Sequence, residues 1–346
     1  MRTIALIAAL LACLSATAAS AADSAVVLMY HRFADYRFPS TNIRTEQFEA
    51  HLDYLQENDY SVIPLQTLMA GLAGEESLPE RAVVITVDDA YLSVYEVAHP
   101  ILESRGYPYT VFVSTDGVDK GLADFMTWDQ MREMQEGGAT FANHGASHGS
   151  LINRSRGGDD GDYLDWVESD VSKGWTRLAE ELDPVEGAFA YPYGEYNAAV
   201  QARLSGMGYT VAFGQQSGAL GPLTDRLALP RFPMNENYGD MDQFPTKISS
   251  LPLPVEAVSP ADPEIQTRLP LIDITLAGGI DSGDYSGIAC FVGGQGRVSI
   301  EWTTPNKQFS VGPEQPLNPG RNRVNCTSPA GGGRYYWFSH PWFVRD

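Results

Sequence analysis

Between residues 25 and 213, short apolar runs rich in β-branched residues alternate with longer stretches of helical periodicity. The predicted strands are 25–30, 82–87, 109–113, 140–142, 188–191 and 209–213. The predicted helices are 45–58, 91–105, 128–135, 165–181 and 197–207. Strand and helix in alternation favour a parallel sheet covered by helices, and six or more such units favour a barrel. We therefore predict an α/β barrel for residues 22–250, with its chemistry at the C-terminal ends of the strands.

The rest of the chain has a different pattern. Strand-like runs at 270–276, 287–292, 297–303, 323–326 and 334–338 are separated by Gly, Pro and Asn, which is typical of a small all-β sandwich. We assign this accessory domain to residues 264–346. Four prolines between positions 252 and 263 favour an extended linker at 251–263.

The N-terminal segment predicts export to the periplasm or out of the cell. Residues 1–21 combine Arg2, an apolar run and an A-x-A cleavage signal, as a signal peptide does. The alternative is a lipoprotein signal, in which case Cys13 would carry a lipid anchor. Cys290 and Cys326 remain in the mature chain, and an even pair in an oxidising compartment predicts one disulfide. No later run reaches the roughly 20 apolar residues of a transmembrane helix.

The net charge of the chain argues against polyanionic partners. The formal net charge is −21 at pH 7. Residues 22–258 carry 36 acidic and 15 basic side chains, whereas residues 259–346 carry 8 and 7. A field of this sign repels nucleic acids and anionic membrane surfaces.

Three strand ends carry residues suited to catalysis. Asp88 and Asp89 follow the strand 82–87, and His144 and His148 follow the strand 140–142. Two histidines four residues apart on one helical turn can bind a single metal ion, although either pair alone is also common in solvated turns. The strand 188–191 runs into Pro-Tyr-Gly, which by itself indicates only a turn.

Taken together, these motifs resemble the polysaccharide deacetylase family, the carbohydrate esterases of family 4 that share the NodB homology domain. That family carries T-F-D-D, H-x-x-x-H and R-x-P-Y-G in this order at successive strand ends. The chain has T-V-D-D at 86–89, H-G-A-S-H at 144–148 and A-Y-P-Y-G at 190–194. The opening L-M-Y-H-R-F at 28–33 is most similar to the poly-β-1,6-N-acetylglucosamine N-deacetylase branch. The resemblance covers about residues 25–240 and implies a distorted (β/α) barrel.

The resemblance also implies roles for individual residues. Asp89, His144 and His148 would bind one divalent metal ion, for which Zn²⁺ is the first choice and Co²⁺, Ni²⁺ or Fe²⁺ are alternatives. Asp88 would be the general base that takes a proton from the attacking water. The backbone N–H of Tyr193 would help to hold the tetrahedral oxyanion.

Two departures from the family pattern need replacements. The arginine of the third motif is Ala190 in this chain, and Arg231 is the predicted substitute for orienting the base. Trp128 is predicted either to stack on substrate as a groove wall or to pack in the core.

The late histidine that serves the family as general acid is also absent, since no histidine lies between His148 and His340. His51, His99 and His340 are placed by their patterns away from the strand ends. His31 directly follows the first strand and is therefore the predicted general acid.

These residues predict a secreted, metal-dependent enzyme that removes N-acetyl groups from an N-acetylglucosamine-containing polysaccharide. The same chemistry on an ester predicts, as an alternative, an O-acetyl esterase of xylan-type polymers. The missing arginine and histidine leave a third hypothesis, a carbohydrate-binding protein whose deacetylase site has decayed.

Overall fold

The computed structural model describes residues 21–156, 160–278 and 285–345. The predicted signal peptide, apart from Ala21, and Cys13 lie outside these ranges. Among the helices described, none combines the length and apolar character needed to cross a bilayer.

The elements alternate as predicted through the first part of the chain. The α-helices α1–α8 are Thr45–Glu57, Leu65–Ala73, His99–Arg105, Thr115–Asp119, Trp128–Glu136, Asp160–Glu181, Ala198–Gly206 and Phe244–Ile248. The strands β1–β13 are Ala21–Ala22, Ala25–Tyr30, Arg32–Phe33, Asn42–Ile43, Ser61–Val62, Leu78–Pro79, Ala82–Asp88, Thr110–Val113, Thr140–Asn143, Ala188–Ala190, Val211–Phe213, Ala219–Leu220 and Phe232–Pro233. The strands β14–β23 are Leu251–Pro252, Val255–Ser259, Glu264–Ile265, Ile272–Leu276, Ala289–Val292, Gly296–Val298, Ile300–Thr304, Gln308–Val311, Gly320–Gly331 and Arg334–Val344.

The main sheet has the strand order β11-β10-β9-β8-β7-β2-β12. The strands from β11 to β2 are parallel to their neighbours, and β12 is antiparallel to β2. Every residue of β2 and β7 is buried. A strand covered on both faces needs a continuous apolar run instead of an alternating one, which is why these runs are recognisable in the sequence.

The sheet is curled into a distorted barrel. Phe112 on β8 and Phe213 on β11 belong to strands three places apart, a separation of about 14 Å in a flat sheet. Their ring centroids are 5.6 Å apart. The short segment 229–233 spans the gap between the two sides, because Leu229 bridges to Phe213 and β13 pairs with β2. The predicted barrel class is confirmed, and Arg231 lies on the segment that bridges this gap.

The C-terminal part is an all-β sandwich, also as predicted. One sheet has the order β14-β23-β22-β18-β19, with β16 also paired to β23, and the other has the order β15-β17-β21-β20. Cys290 and Cys326 are opposite each other on β18 and β22 and form a disulfide.

Two details of this region differ from the predictions. The strand predicted at 297–303 is two strands, because the chain leaves the first sheet after β19 and joins the second sheet with β20. The linker predicted at 251–263 contains β14 and β15, which pair with β23 and β17. Proline is tolerated at a sheet edge, so the prolines here do not prevent pairing.

The helix predicted at 91–105 is also different. It begins with a π-helical turn at Val94–Ala98, and only His99–Arg105 is α-helical.

Two buried histidines should make the protein less stable as the pH falls. His51 is fully buried, with its ring nitrogens bonded to the Tyr30 hydroxyl and the Gly239 carbonyl, and His340 on β23 is also buried. Burial lowers the pKa of each to about 4. Below about pH 6.5 the unfolded chain therefore binds protons that the folded chain does not, and stability falls as the pH falls. We expect a loss of about 2 kcal/mol per histidine between pH 7.5 and pH 5, measured by urea unfolding.

The variant His340→Leu isolates one of these contributions. None of the residues that the structure describes hydrogen-bonds to Nε2 of His340, so the substitution removes a titrating group without breaking a bond at that atom. The pH-dependent loss should shrink by about 2 kcal/mol in this variant. A loss as large as that of the wild type would show that His340 titrates normally.

Candidate metal centre and active site

The parallel strands bring the two acidic and two histidine residues together. Asp88 ends β7 and Asp89 follows it, while His144 and His148 follow β9, two strands away. The Nε2 atoms of His144 and His148 lie 3.4 Å and 2.9 Å from Oδ1 of Asp89. One donor atom from each of these three residues can be chosen within 4.8 Å of the others. The structure thus brings the predicted ligand set together.

The backbone at Asp89 is unusual. Asp89 has φ 79° and Ala90 has φ 52°, both in the left-handed region, and the Asp89 N–H donates to the Phe112 carbonyl at 3.0 Å. Left-handed backbone is disfavoured for residues with a side chain, and it is tolerated where the surroundings enforce it. Here it turns the chain immediately after β7, so that two consecutive carboxylates both stay at the strand end.

The spacing of His144 and His148 predicted that they share one helical turn, and this prediction is wrong. The segment from His144 to His148 is an irregular loop in which Gly145 has φ 76° and His148 has φ 55°. The Asp170 carboxylate accepts hydrogen bonds from the N–H groups of Ala146 and Ser147, at 3.1 Å and 3.0 Å. Side-chain acceptors satisfy these N–H groups in place of a helix, so loop geometry places the two imidazoles.

The group fits a divalent metal ion. The Nδ1 atom of His144 lies 2.7 Å from the Ala190 carbonyl and must donate to it, which leaves Nε2, the atom nearest Asp89, to serve as a ligand. Oδ1 of Asp89 is buried, and although the His148 Nε2 is 2.9 Å away, none of the described residues makes a well-aligned hydrogen bond to it. An oxygen and two imidazole nitrogens are a donor set that Zn²⁺, Co²⁺, Ni²⁺ and Fe²⁺ accept. Burial opposes ionisation of Asp89, but the two imidazoles outweigh it and hold its pKa well below the usual range.

Arg231 forms a buried bidentate ion pair with Asp88. Its Nη1 and Nη2 atoms lie 2.7 Å and 2.8 Å from the two carboxylate oxygens, and both side chains are fully buried. Its Nε donates to the Gly214 carbonyl at 3.0 Å. Burial alone would raise the pKa of Asp88, but Arg231 and the nearby histidines outweigh it and the pKa lies below its usual range. Arg231 therefore lies where it can orient Asp88, the role predicted for it in place of the missing arginine of the third motif.

His31 lies beside the same carboxylate. Its Nε2 is 3.9 Å from Oδ2 of Asp88, which is too long for a hydrogen bond, and its side chain is 15% exposed. Burial lowers the pKa of His31, and the opposing effects of Asp88 and Asp89 do not restore it. His31 is therefore neutral at pH 7 when the site is at rest.

Tyr193 borders the site on the other side. It has φ 60°, and the hydrogen bonds that close its turn come from the N–H groups of Gly194 and Glu195. The residue is 41% exposed, and its ring centroid lies 4.6 Å from that of the His148 ring. Arg321 of the β-sandwich donates to the Tyr193 carbonyl at 3.2 Å.

Trp128 makes contacts with Asp119 and Arg177, which are outside the Asp89–His144–His148 group. Its indole N–H donates to Asp119 at 2.9 Å, and the guanidinium of Arg177 is 5.4 Å from its ring centroid. The side chain packs partly buried against the barrel core.

Sequence reasoning missed three contributions to this site. Asp170 had a detectable signal, since it is an acidic residue on the helix face that carries the buried Val167 and Val171. The Ala190 carbonyl and Arg321 had none, because a backbone acceptor has no residue signature and Arg321 lies on a distant strand.

Part of the barrel matches a known protein family. The sequence pattern of polysaccharide deacetylases matches residues 75–212. The chain is 25% identical over 193 residues to the putative polysaccharide deacetylase YxkH of Bacillus subtilis, covering 56% of this chain and 65% of that one. It is 28% identical over 218 residues to the poly-β-1,6-N-acetyl-D-glucosamine N-deacetylase of Escherichia coli K12, covering 54% and 32%. The chain thus spans 65% of the length of the first relative and 32% of the length of the second.

A solved structure agrees with this placement. IcaB from Ammonifex degensii superposes with a TM-score of 0.54 at 26% identity, over 65% of this chain and 95% of that one. The region matched by the family contains β7 to β10 and every residue of the Asp89–His144–His148 group, and it ends within β11. The sandwich lies outside the family match. Residues 75–212 thus match a polysaccharide deacetylase (NodB homology) domain, with its motifs assembled at the strand ends of a curled barrel.

Proposed function

We propose that the protein is an exported, metal-dependent N-deacetylase of an N-acetylglucosamine-containing polysaccharide, a hydrolase of carbon–nitrogen bonds. The observation that carries this proposal is the Asp88–Arg231 ion pair directly beside the Asp89–His144–His148 group. One carboxylate is held ionised by an arginine, while its neighbour faces two imidazoles. This arrangement suits a general base, Asp88, next to a metal ligand, Asp89.

Asp89, His144 and His148 would hold the metal ion, for which we propose Zn²⁺, and the bound ion would supply Lewis acidity that polarises the acetyl carbonyl and acidifies a water. Asp88 accepts the proton of the attacking water, because Arg231 keeps the carboxylate ionised and fixes its orientation through two hydrogen bonds. The Tyr193 N–H is proposed to donate to the developing oxyanion. Preorganised donors of this kind cost no rearrangement during the reaction.

The amine must leave protonated, and His31 is proposed to deliver the proton. Because His31 is neutral at rest, it must first receive a proton during the reaction cycle. Asp88 holds the proton taken from water at 3.9 Å from the His31 Nε2. The proton then passes from Asp88 through His31 to the leaving nitrogen. Acetate and a free amine are the products.

We expect His31→Ala to lower kcat by roughly 10² to 10⁴, the usual contribution of a general acid. Metal content should stay at the wild-type level, since His31 is outside the Asp–His–His group. Steady-state kinetics and elemental analysis of the same preparations measure both. A wild-type kcat in this variant would assign the acid to a water or to protonated Asp88.

The substrate class is tested by release of acetate. Relatives named poly-β-1,6-N-acetyl-D-glucosamine N-deacetylase make β-1,6-linked oligomers the expected substrate. An acidic protein also tolerates a polymer that becomes cationic as acetyl groups leave. The assay compares β-1,6-linked N-acetylglucosamine oligomers, chitin oligomers and acetylxylan. Release from acetylxylan alone would favour an O-acetyl esterase, and release from none would favour a binding protein.

Export and domain division complete the proposal. We propose that residues 1–21 are removed during export, that residues 22–250 form the deacetylase domain and that residues 251–346 form the accessory sandwich. The Cys290–Cys326 disulfide supports an oxidising compartment.

A further inference from the structure

We infer that the β-sandwich is part of the active site, because its Arg321 positions the turn that carries Tyr193. This inference rests on the proposed deacetylase function and assigns a positioning residue to a part of the chain outside the family match. Three contacts of Arg321 carry the argument. Its Nη1 donates to the Tyr193 carbonyl at 3.2 Å, its Nε lies 3.7 Å from Oε1 of Glu195, and its guanidinium carbon is 5.7 Å from the Tyr193 ring centroid.

The sandwich is docked along the barrel, so Arg321 is held in register. Strands β22 and β23 form a long antiparallel hairpin in which Arg321 is opposite Phe343. The Phe343 ring lies 5.9 Å from the ring of Tyr196, three residues after Tyr193. Midway along β23, Trp337 meets Phe232 of β13 with ring centroids 5.2 Å apart. These contacts fix the beginning of β22 beside the third motif.

A small network connects this point to the metal ligands. Glu195 also accepts a hydrogen bond from the Ser150 hydroxyl, and Ser150 is two residues beyond His148. Arg321 and Ser150 therefore reach Glu195 from two sides, joining the loops of the second and third motifs. Since Tyr193 packs against the His148 ring, a shift of its turn would move the proposed oxyanion donor relative to the ligands.

The expected effect is on rate and not on stability. The Arg321 side chain is 54% exposed, and exposed ion pairs contribute little to folding stability. In contrast, a misplaced catalytic group can cost on the order of 10²-fold in rate. Loss of an arginine that served only to bridge the sandwich and the barrel would leave kcat unchanged.

The chain offers a matched control. Arg334 at the other end of the hairpin donates from Nε to the Ser249 carbonyl at 2.8 Å. It lines a cavity with Ala25 and Ala82, the first residues of β2 and β7, and so lies at the end of the barrel opposite Asp88. Arg334→Ala thus removes an exposed arginine at the contact between sandwich and barrel without approaching the site.

The experiment combines deacetylase kinetics, thermal unfolding and hydrogen exchange of residues 190–196. For Arg321→Ala we expect kcat to fall about tenfold to 100-fold, KM to change less than threefold, the Tm to stay within about 2 °C and exchange in 190–196 to quicken. Arg321→Lys should recover part of kcat, and Arg334→Ala should match the wild type.

Unchanged kcat in Arg321→Ala, or an equal loss in Arg334→Ala, would overturn the inference. If the wild type releases no acetate from any of the three polymers, the proposed function fails, and hydrogen exchange still decides the role of Arg321. Wild-type exchange at 190–196 in Arg321→Ala then overturns the inference on its own.

Discussion

Asp88→Asn is expected to bind metal normally and to lose deacetylation by on the order of 10³-fold. The amide cannot accept the proton of the attacking water, whereas Asp89, His144 and His148 are unchanged. Metal per chain, measured by elemental analysis, and acetate release from β-1,6-linked oligomers check both halves of this expectation. Activity within tenfold of the wild type would exclude Asp88 as the base.

The same substitution leaves Arg231 buried with a neutral partner. Removing one member of a buried ion pair typically costs about 3 to 5 kcal/mol, and the remaining amide oxygen offsets part of that cost. A lowered Tm is therefore expected, and activity must be measured at a temperature where circular dichroism shows the variant folded. A loss of activity that merely tracks unfolding across temperatures would contradict the chemical role.

His144→Ala and His148→Ala are expected to lose both bound metal and nearly all activity. Each variant removes one of three donors, and loss even of a group that only orients a ligand weakens metal binding 10-fold to 100-fold. We therefore expect metal affinity to fall by at least about 10²-fold. Titration of the metal-free protein with Zn²⁺, followed by calorimetry, measures this loss without an activity assay.

Asp88→Asn is the matched control for the histidine variants, since it changes a neighbouring buried residue outside the ligand set. Metal should be lost in both histidine variants and retained in Asp88→Asn. Equal metal content in all three would end the assignment of Asp89, His144 and His148 as ligands. Of the two histidines, His148 is the more exposed, so His148→Ala should disturb folding less.

The barrel followed from the sequence pattern, and the proposed set of Asp89, His144 and His148 came from the resemblance to the deacetylase family. Strands buried on both faces require continuous apolar runs, and these runs mark β2, β7 and β8 directly. Because the C-terminal ends of parallel strands meet at one edge, residues just after β7 and β9 must approach each other. Local order along the chain was enough to predict that Asp89, His144 and His148 converge.

Residues distant along the chain could be placed only by the tertiary structure. Arg231 reaches Asp88 because the segment 229–233 spans the gap between β11 and β2, a pairing that no local pattern encodes. The backbone geometry at Asp89 and His148 is similar in origin, since left-handed φ angles at these residues depend on acceptors and packing supplied by other elements.

The clearest division concerns the sandwich. Most of its strands were predictable, because alternating apolar residues and turn residues act over a few positions. The disulfide followed from an even pair of cysteines in a chain predicted to be exported. That Arg321 would meet Tyr193 was not, because the meeting depends on how two sheets of side chains pack against each other across 128 positions of sequence. Sequence alone determined which elements form and which strand ends carry chemistry. Long-range packing decided which arginines stand beside that chemistry, since such contacts depend on the three-dimensional fit of whole surfaces.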